Sequence, residues 1–150
     1  MLLGEILIEK KLIRKDQLLI ALDEQKKTQE FLGMILVRKK FIAEEDLMKA
    51  LSEVFRIPYI RLKAEDIDWP AAMRFSASLV LDNRCVPVRQ DEQGWTVAIT
   101  NPLDAEVISR IEEEAGQAVN LVLASSQDID AALRGYREQV AQKIKKLLDG

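Results

Sequence analysis

Apolar residues between Leu2 and Leu22 recur at three- and four-residue intervals, the period of one face of a helix. The same pattern returns between Phe31 and Leu51, displaced by 29 positions. Identity falls on Leu3/Leu32, Gly4/Gly33, Ile6/Ile35, Leu7/Leu36, Ile13/Ile42, Leu18/Leu47, Ala21/Ala50 and Leu22/Leu51, and also on Lys10/Lys39, Lys11/Lys40 and Glu24/Glu53. Each copy predicts a short helix opened by a glycine, a turn, and a longer helix. Lys15-Asp16 and Glu44-Glu45-Asp46 place carboxylates in the first turn of the longer helices, where the helix dipole favours them. Leu12-Ile13 and Phe41-Ile42 follow the lysine pairs and would plug the corner of each hairpin. One such hairpin cannot bury both its apolar stripes; two related hairpins can, by packing about a local two-fold axis. A duplicated groove of that kind suits a ligand or partner that is itself two-fold symmetric.

Pro58 disfavours helix at the residue before it, so the second long helix should end near Phe55. Residues 58–67 read as a connector. Asp68-Trp69-Pro70 reads as a helix start, leading into short helices over 70–75 and 76–82. After Asn83 the period changes. "RCVPVRQ" and "WTVAIT", separated by "DEQG", predict a β-hairpin, and Pro87 puts its strand at an edge. In "TNPLDAEVISRIEEEAG" Asn101 is the expected cap, Pro102 the first helical position and Gly116 the end. "AVNLVLAS" is apolar enough to be expected as a central strand, parallel or antiparallel. A final amphipathic helix starts at a serine cap with Asp128 in its first turn; Gly135 is a candidate interruption, and the basic stretch Lys143–Lys146 suits its C-terminus.

The expected class is α+β: N-terminal duplicated helical hairpins (four helices) followed by a small three-stranded α/β sandwich. The domain reading is 1–56 for the hairpins, 57–138 for the α+β part and 139–150 for a helical tail or linker.

Composition narrows the chemistry. The net charge is −3, which gives the whole chain no electrostatic reason to seek nucleic acid or anionic lipid. Residues 1–56 carry eleven basic against ten acidic side chains, and the positions of a DNA-reading helix would hold Glu44, Glu45 and Asp46, which repel phosphate. No long apolar run or basic-headed leader is present, so no direct membrane insertion is expected. A single cysteine, Cys85, fits a reducing compartment and reads as a buried apolar residue. With no histidine, the usual zinc sites and histidine-based catalysis are not expected. The carboxylate groups at Glu65-Asp66-Asp68, Asp91-Glu92 and Glu112–Glu114 read as solvated connector, turn and helix end. Neither catalytic nor metal-binding residues are assigned, and no cofactor.

Taken together, these stretches resemble the N-terminal domain of type II secretion and type IV pilus assembly ATPases, the general secretion pathway protein E N-terminal domain among them. The cyclic di-GMP-binding version of that domain carries a duplicated motif: Arg-Leu-Gly, then aliphatic pairs, a mid-motif glycine, two spaced leucines and a closing glutamine. Leu3-Gly4, Leu7-Ile8, Leu12-Ile13, Leu18, Leu22 and Gln25 match in the first copy. Leu32-Gly33, Leu36-Val37, Phe41-Ile42, Leu47 and Leu51 match in the second, with Lys26–Glu30 as spacer. "VAITNPLD" and "ASSQDIDAAL" are similar to the family's strand–turn and closing helix, so the resemblance covers residues 2–138.

The departures are at the polar positions. The motif arginines, which the resemblance would direct at guanine and phosphate, are Leu2 and Phe31 here; the mid-motif glycines are Lys11 and Lys40; the second glutamine is Val54. A lost charged hydrogen bond costs about 1.5–3 kcal/mol, so the nucleotide is disfavoured. If cyclic di-GMP binds, its contacts would fall on Leu3, Gly4, Leu7, Lys11, Gln25, Leu32, Gly33, Leu36 and Lys40. The Lys/Leu-rich tail after Tyr136 would lead toward an ATPase engine in a longer protein. The chain has no Gly-rich loop ending in Lys-Ser or Lys-Thr, so it is not expected to be an enzyme. The resemblance therefore implies a cytoplasmic, non-catalytic docking module. Its partner would be a secretion or pilus inner-membrane platform protein, met at a helix face, in the inter-hairpin groove or at the strand edge around Val86-Pro87-Val88. The alternative is a cyclic di-GMP receptor.

Overall fold

The computed structural model describes residues 2–149. Its contacts divide into two compact units, one up to Arg56 and one from Ile57 on.

The first unit holds four helices: α1 (Leu3–Glu9), α2 (Lys15–Thr28), α3 (Leu32–Arg38) and α4 (Glu44–Phe55). The repeated aliphatic positions are its core. Leu7, Ile35, Leu36 and Leu47 are fully buried and Leu51 nearly so, and α1 packs on α3. Ile13 and Ile42 are buried at the hairpin corners. The repeated glycines let the helices close up. A Cβ on Gly4 would lie 2.6 Å from Leu18 Cδ1, and one on Gly33 would lie 2.8 Å from Leu47 Cδ2 and 2.9 Å from the Phe31 ring.

Each short helix ends the same way. The Leu12 N–H donates to the Leu7 carbonyl at 2.9 Å and the Lys11 N–H to the Ile8 carbonyl at 2.9 Å. The second copy repeats this with Phe41 to Leu36 and Lys40 to Val37, both at 2.9 Å. This is a Schellman termination, whose residue after the cap must be left-handed. Lys11 (φ 62°) and Lys40 (φ 64°) are. A glycine, as in the mid-motif position of the family resembled, would meet this backbone requirement without strain. Leu12 and Phe41 are the apolar residues that follow, and they fold back toward the helix they terminate.

The second unit contains a three-stranded sheet in the order β1 (Val86–Asp91), β2 (Gly94–Ile99), β3 (Val119–Leu123). β1 and β2 are antiparallel and β2 and β3 parallel. The third strand is therefore an edge, not the centre. Its apolar character reports cover by helices, whereas its place is set by connection. The hairpin takes one side of β2, and the crossover through α7 (Ala105–Ala115) delivers β3 to the other. β2 is buried along its whole length. The outer side of β3 is partly occupied, since Leu123 N–H donates to the Pro58 carbonyl (2.7 Å) and Ile60 N–H to the Leu123 carbonyl (2.9 Å).

The other edge is closed too. Val86, Pro87 and Val88 are buried. Short helix α5 (Trp69–Ala72) lies along β1, and the Asp68 N–H takes the Val88 carbonyl at 2.8 Å. The strand edge expected as a docking site is thus already covered by the chain itself.

Helix α6 (Ala77–Asn83) is capped by Ser76, whose backbone N–H and hydroxyl both donate to the Glu114 carboxylate at 2.8 Å. The cap of α7 is Asp104, which accepts from Val107 N–H at 3.1 Å. Asn101, the expected cap, instead closes an Asx turn by accepting from Leu103 N–H at 2.9 Å. Helix α8 runs unbroken from Ser126 to Asp149. Gly135 does not interrupt it; a Cβ there would lie 3.0 Å from the Trp69 ring, so the glycine makes room for the indole. Asp128 at its start accepts from Leu62 N–H at 2.9 Å and holds the connector down. No helix among the described residues is long and apolar enough to cross a membrane.

Candidate functional site

The hairpin corners of the first unit carry two shallow depressions. One, of about 420 Å³, is lined by Ile8, Lys11, Ile13, Arg14 and Gln17 with Leu12 and Phe41. The other, of about 480 Å³, is lined by Val37, Lys40, Ile42, Ala43 and Asp46, again with Leu12 and Phe41, and also Glu44. Apart from Glu44, every residue of the second set is its counterpart in the first plus 29. Leu12 and Phe41 line both, which puts them on the local two-fold with one depression on each side.

The charges do not obey that symmetry. The first corner has Arg14, whose guanidinium pairs with Asp16 (Nε–Oδ1 3.0 Å) and holds that carboxyl below its ordinary range. The equivalent of Arg14 is Ala43, and Gln17 is replaced by Asp46. Gln17 accepts from the Arg14 backbone N–H at 2.9 Å and closes the start of α2. Lys10 pairs with Glu53 (3.1 Å) and Lys39 with Glu24 (3.6 Å), whereas Lys11 and Lys40 are exposed and make no ion pair among the described residues.

The sequence-derived candidates separate into three groups. Lys11 and Lys40 line the two depressions. Leu3, Leu7, Leu32 and Leu36 are buried core, with Gly4 and Gly33 sealed under Leu18 and Leu47. Gln25 donates from Nε2 to the Glu30 carbonyl at 3.0 Å, so it ties the end of α2 to the spacer. Beside it Arg38 bridges Glu24 and Glu30. Leu2 and Phe31, at the motif-arginine positions, cap the short helices; Leu2 is 73% exposed and Phe31 lies over Gly33. The sequence reading missed Arg14, Gln17 and Asp46. Aligning the copies at 29 would have found them, because each is a place where the corners differ by one charge, beside Lys15 and Glu44, which differ by two.

The MshEN domain model matches residues 55–143, more than half of the chain. The chain belongs to the MshEN-domain family. Members are N-terminal domains of type II secretion and type IV pilus ATPases. Among solved structures, MshE with cdg (cyclic di-GMP) superposes with a TM-score of 0.76 over 91% of this chain and 99% of that one, at 21% identity. The N-terminal domain of XpsE gives 0.70 over 88% and 91% at 17% identity, and a second crystal form of it 0.58 over 87% and 91% at 20%. No curated protein sequence matches the chain. The MshEN match begins at residue 55, so it leaves out nearly all of the duplicated hairpins, where Leu2, Phe31, Lys11 and Lys40 stand.

Proposed function

We propose that this MshEN domain is a non-catalytic regulatory and docking module of a secretion or pilus-assembly ATPase. It binds a protein of the inner-membrane platform from the cytoplasmic side. The observation that carries this reading is the state of the first unit, whose scaffold is intact while its polar ligand positions are not. Phe31 stands where the motif has arginine, and its ring covers Gly33. The two corners that a symmetric dianion would need to be alike are basic on one side and carry Glu44 and Asp46 on the other. For a protein partner, α2 offers an outward aliphatic pair, Leu19 (66% exposed) and Ile20 (48% exposed), on a rigid helix face. Leu19 is the counterpart of Met48, which is fully buried.

The likeness to MshE with cdg favours a second reading, a cyclic di-GMP receptor with Lys11 and Lys40 replacing lost phosphate contacts. Calorimetric titration of this chain with cytoplasmic segments of platform proteins, and separately with cyclic di-GMP, decides between them. Partner binding that weakens in Leu19→Asp/Ile20→Asp, with no heat from the nucleotide, supports docking. Micromolar nucleotide binding reverses the ranking.

A further inference from the structure

We propose that the corner face of the first unit is a self-association surface whose occupant is a second copy of this chain. Three features of that face point there. It has two depressions built from equivalent residues, a shared half-buried apolar ridge of Leu12 and Phe41 between them, and opposite charge on its two halves. Residues 10–17 carry four basic side chains and one acidic, and their counterparts 39–46 carry two basic and three acidic. A ligand with equal charges at its two ends meets one attractive and one repulsive corner. A second copy does better. A two-fold axis lying in the plane of the face, perpendicular to the line joining the depressions, turns one copy over onto the other. Each basic corner then sits above an acidic one, and ridge meets ridge. Lys11 of one protomer faces Asp46 of its partner, and the isologous symmetry makes this contact twice. Lys11 and Asp46 are both exposed, and Lys11 has no ion pair among the described residues. The corner charges that disfavour a symmetric anion are the ones that select a second copy.

Sedimentation equilibrium of the 150-residue chain over a concentration series, at low and high salt, tests this. A dimer that dissociates as salt rises is expected, because exposed pairs are screened. Lys11→Glu and Asp46→Lys should each weaken the dimer about tenfold or more, since each places like charges together at two symmetric contacts. The double variant Lys11→Glu/Asp46→Lys should restore it to within about threefold of the parent. Circular dichroism confirms that the variants are folded. A chain that stays monomeric at low salt overturns the proposal, and so do single variants that dimerise like the parent. A folded double variant that fails to recover also overturns it. Binding of cyclic di-GMP that both single variants lose would give the face to a nucleotide instead.

Discussion

Lys11 and Lys40 occupy backbone positions that a side chain disfavours, and replacing them with glycine should stabilise the chain. Both sit at the left-handed residue of a Schellman termination (φ 62° and 64°), each held by two backbone hydrogen bonds of 2.9 Å, so the turn cannot relax away from positive φ. A left-handed residue with a Cβ costs about 1–2 kcal/mol. Glycine removes that strain but gives the unfolded chain more freedom, which offsets about 0.4–1 kcal/mol. The net gain is about 0.5–1 kcal/mol per site, and about 1–2 kcal/mol for both if they are independent. For a chain of this size that is a rise in Tm of about 2–8 °C. Thermal and urea unfolding followed by circular dichroism reads it. The alanine variants are the control. Alanine removes the exposed lysine side chain and keeps the strain, so Lys11→Ala and Lys40→Ala should lie within about 0.5 kcal/mol of the parent. Asparagine, which tolerates the left-handed region better than alanine, should fall between the two. Glycine variants no more stable than the alanine ones would refute the reasoning, because the lysines would then owe nothing to backbone conformation.

Gly135→Val should destabilise by about 1–3 kcal/mol in urea unfolding, because its Cβ meets the Trp69 ring at 3.0 Å and the side chain adds a β-branched bulk at that contact. Glu114→Ala should cost about 1–2 kcal/mol by the same assay, since it strips the Ser76 amide and hydroxyl of their 2.8 Å acceptors. The Cys85 thiol is pushed by burial from its ordinary 9.0 up to about 12, so it should resist alkylation until the protein is unfolded. The folded form keeps its proton longer than the unfolded one, so the contribution to stability is full below about pH 9 and is lost as pH rises toward 12; Cys85→Ala should flatten that alkaline limb of the urea midpoint against pH. Finally, Leu2→Arg with Phe31→Arg should raise cyclic di-GMP affinity by at least about tenfold in calorimetry if the missing guanidinium groups are what bars the nucleotide; an unchanged titration would place the obstacle at Val54, Glu44 and Asp46.

The helices of the first unit were legible because the same apolar period is written twice and Pro58 closes the second copy. Their glycine-free turns were not. A lysine gives no hint of positive φ, and the usable signal was the apolar residue after it, Leu12 or Phe41, whose amide reaches the carbonyl of Leu7 or Leu36 five residues back. Asn101-Pro102 misled because asparagine serves an Asx turn as well as it serves a cap; only the spacing from Asp104 to Val107 separates the two. The place of β3 was unreadable from composition, since an apolar strand covered by helices looks the same at an edge as at the centre. Gly135 depended on a ring 66 residues earlier in the chain, and no local pattern encodes that. At the candidate site the corners were visible as plugs, but their joining into one face around Leu12 and Phe41 came only from the fold.

Duplication explains why shape and charge have parted company here. Apart from three charged pairs, the residues shared by the two copies are apolar or small, and they include those that must be buried or must approach a neighbouring helix: Leu7 and Leu36, Ile13 and Ile42, Gly4 and Gly33. Packing holds these in register, because changing one creates a cavity or a clash that costs kilocalories. Arg14 against Ala43 and Gln17 against Asp46 lie on solvent, where a change of charge moves stability by a few tenths. The scaffold therefore keeps its two-fold form whatever happens to the surface, and the surface alone decides what the form can receive. A two-fold nucleotide needs both halves to match, so a single altered corner is enough to lose it. A protein surface needs only a complementary pattern, which an asymmetric pair of corners supplies.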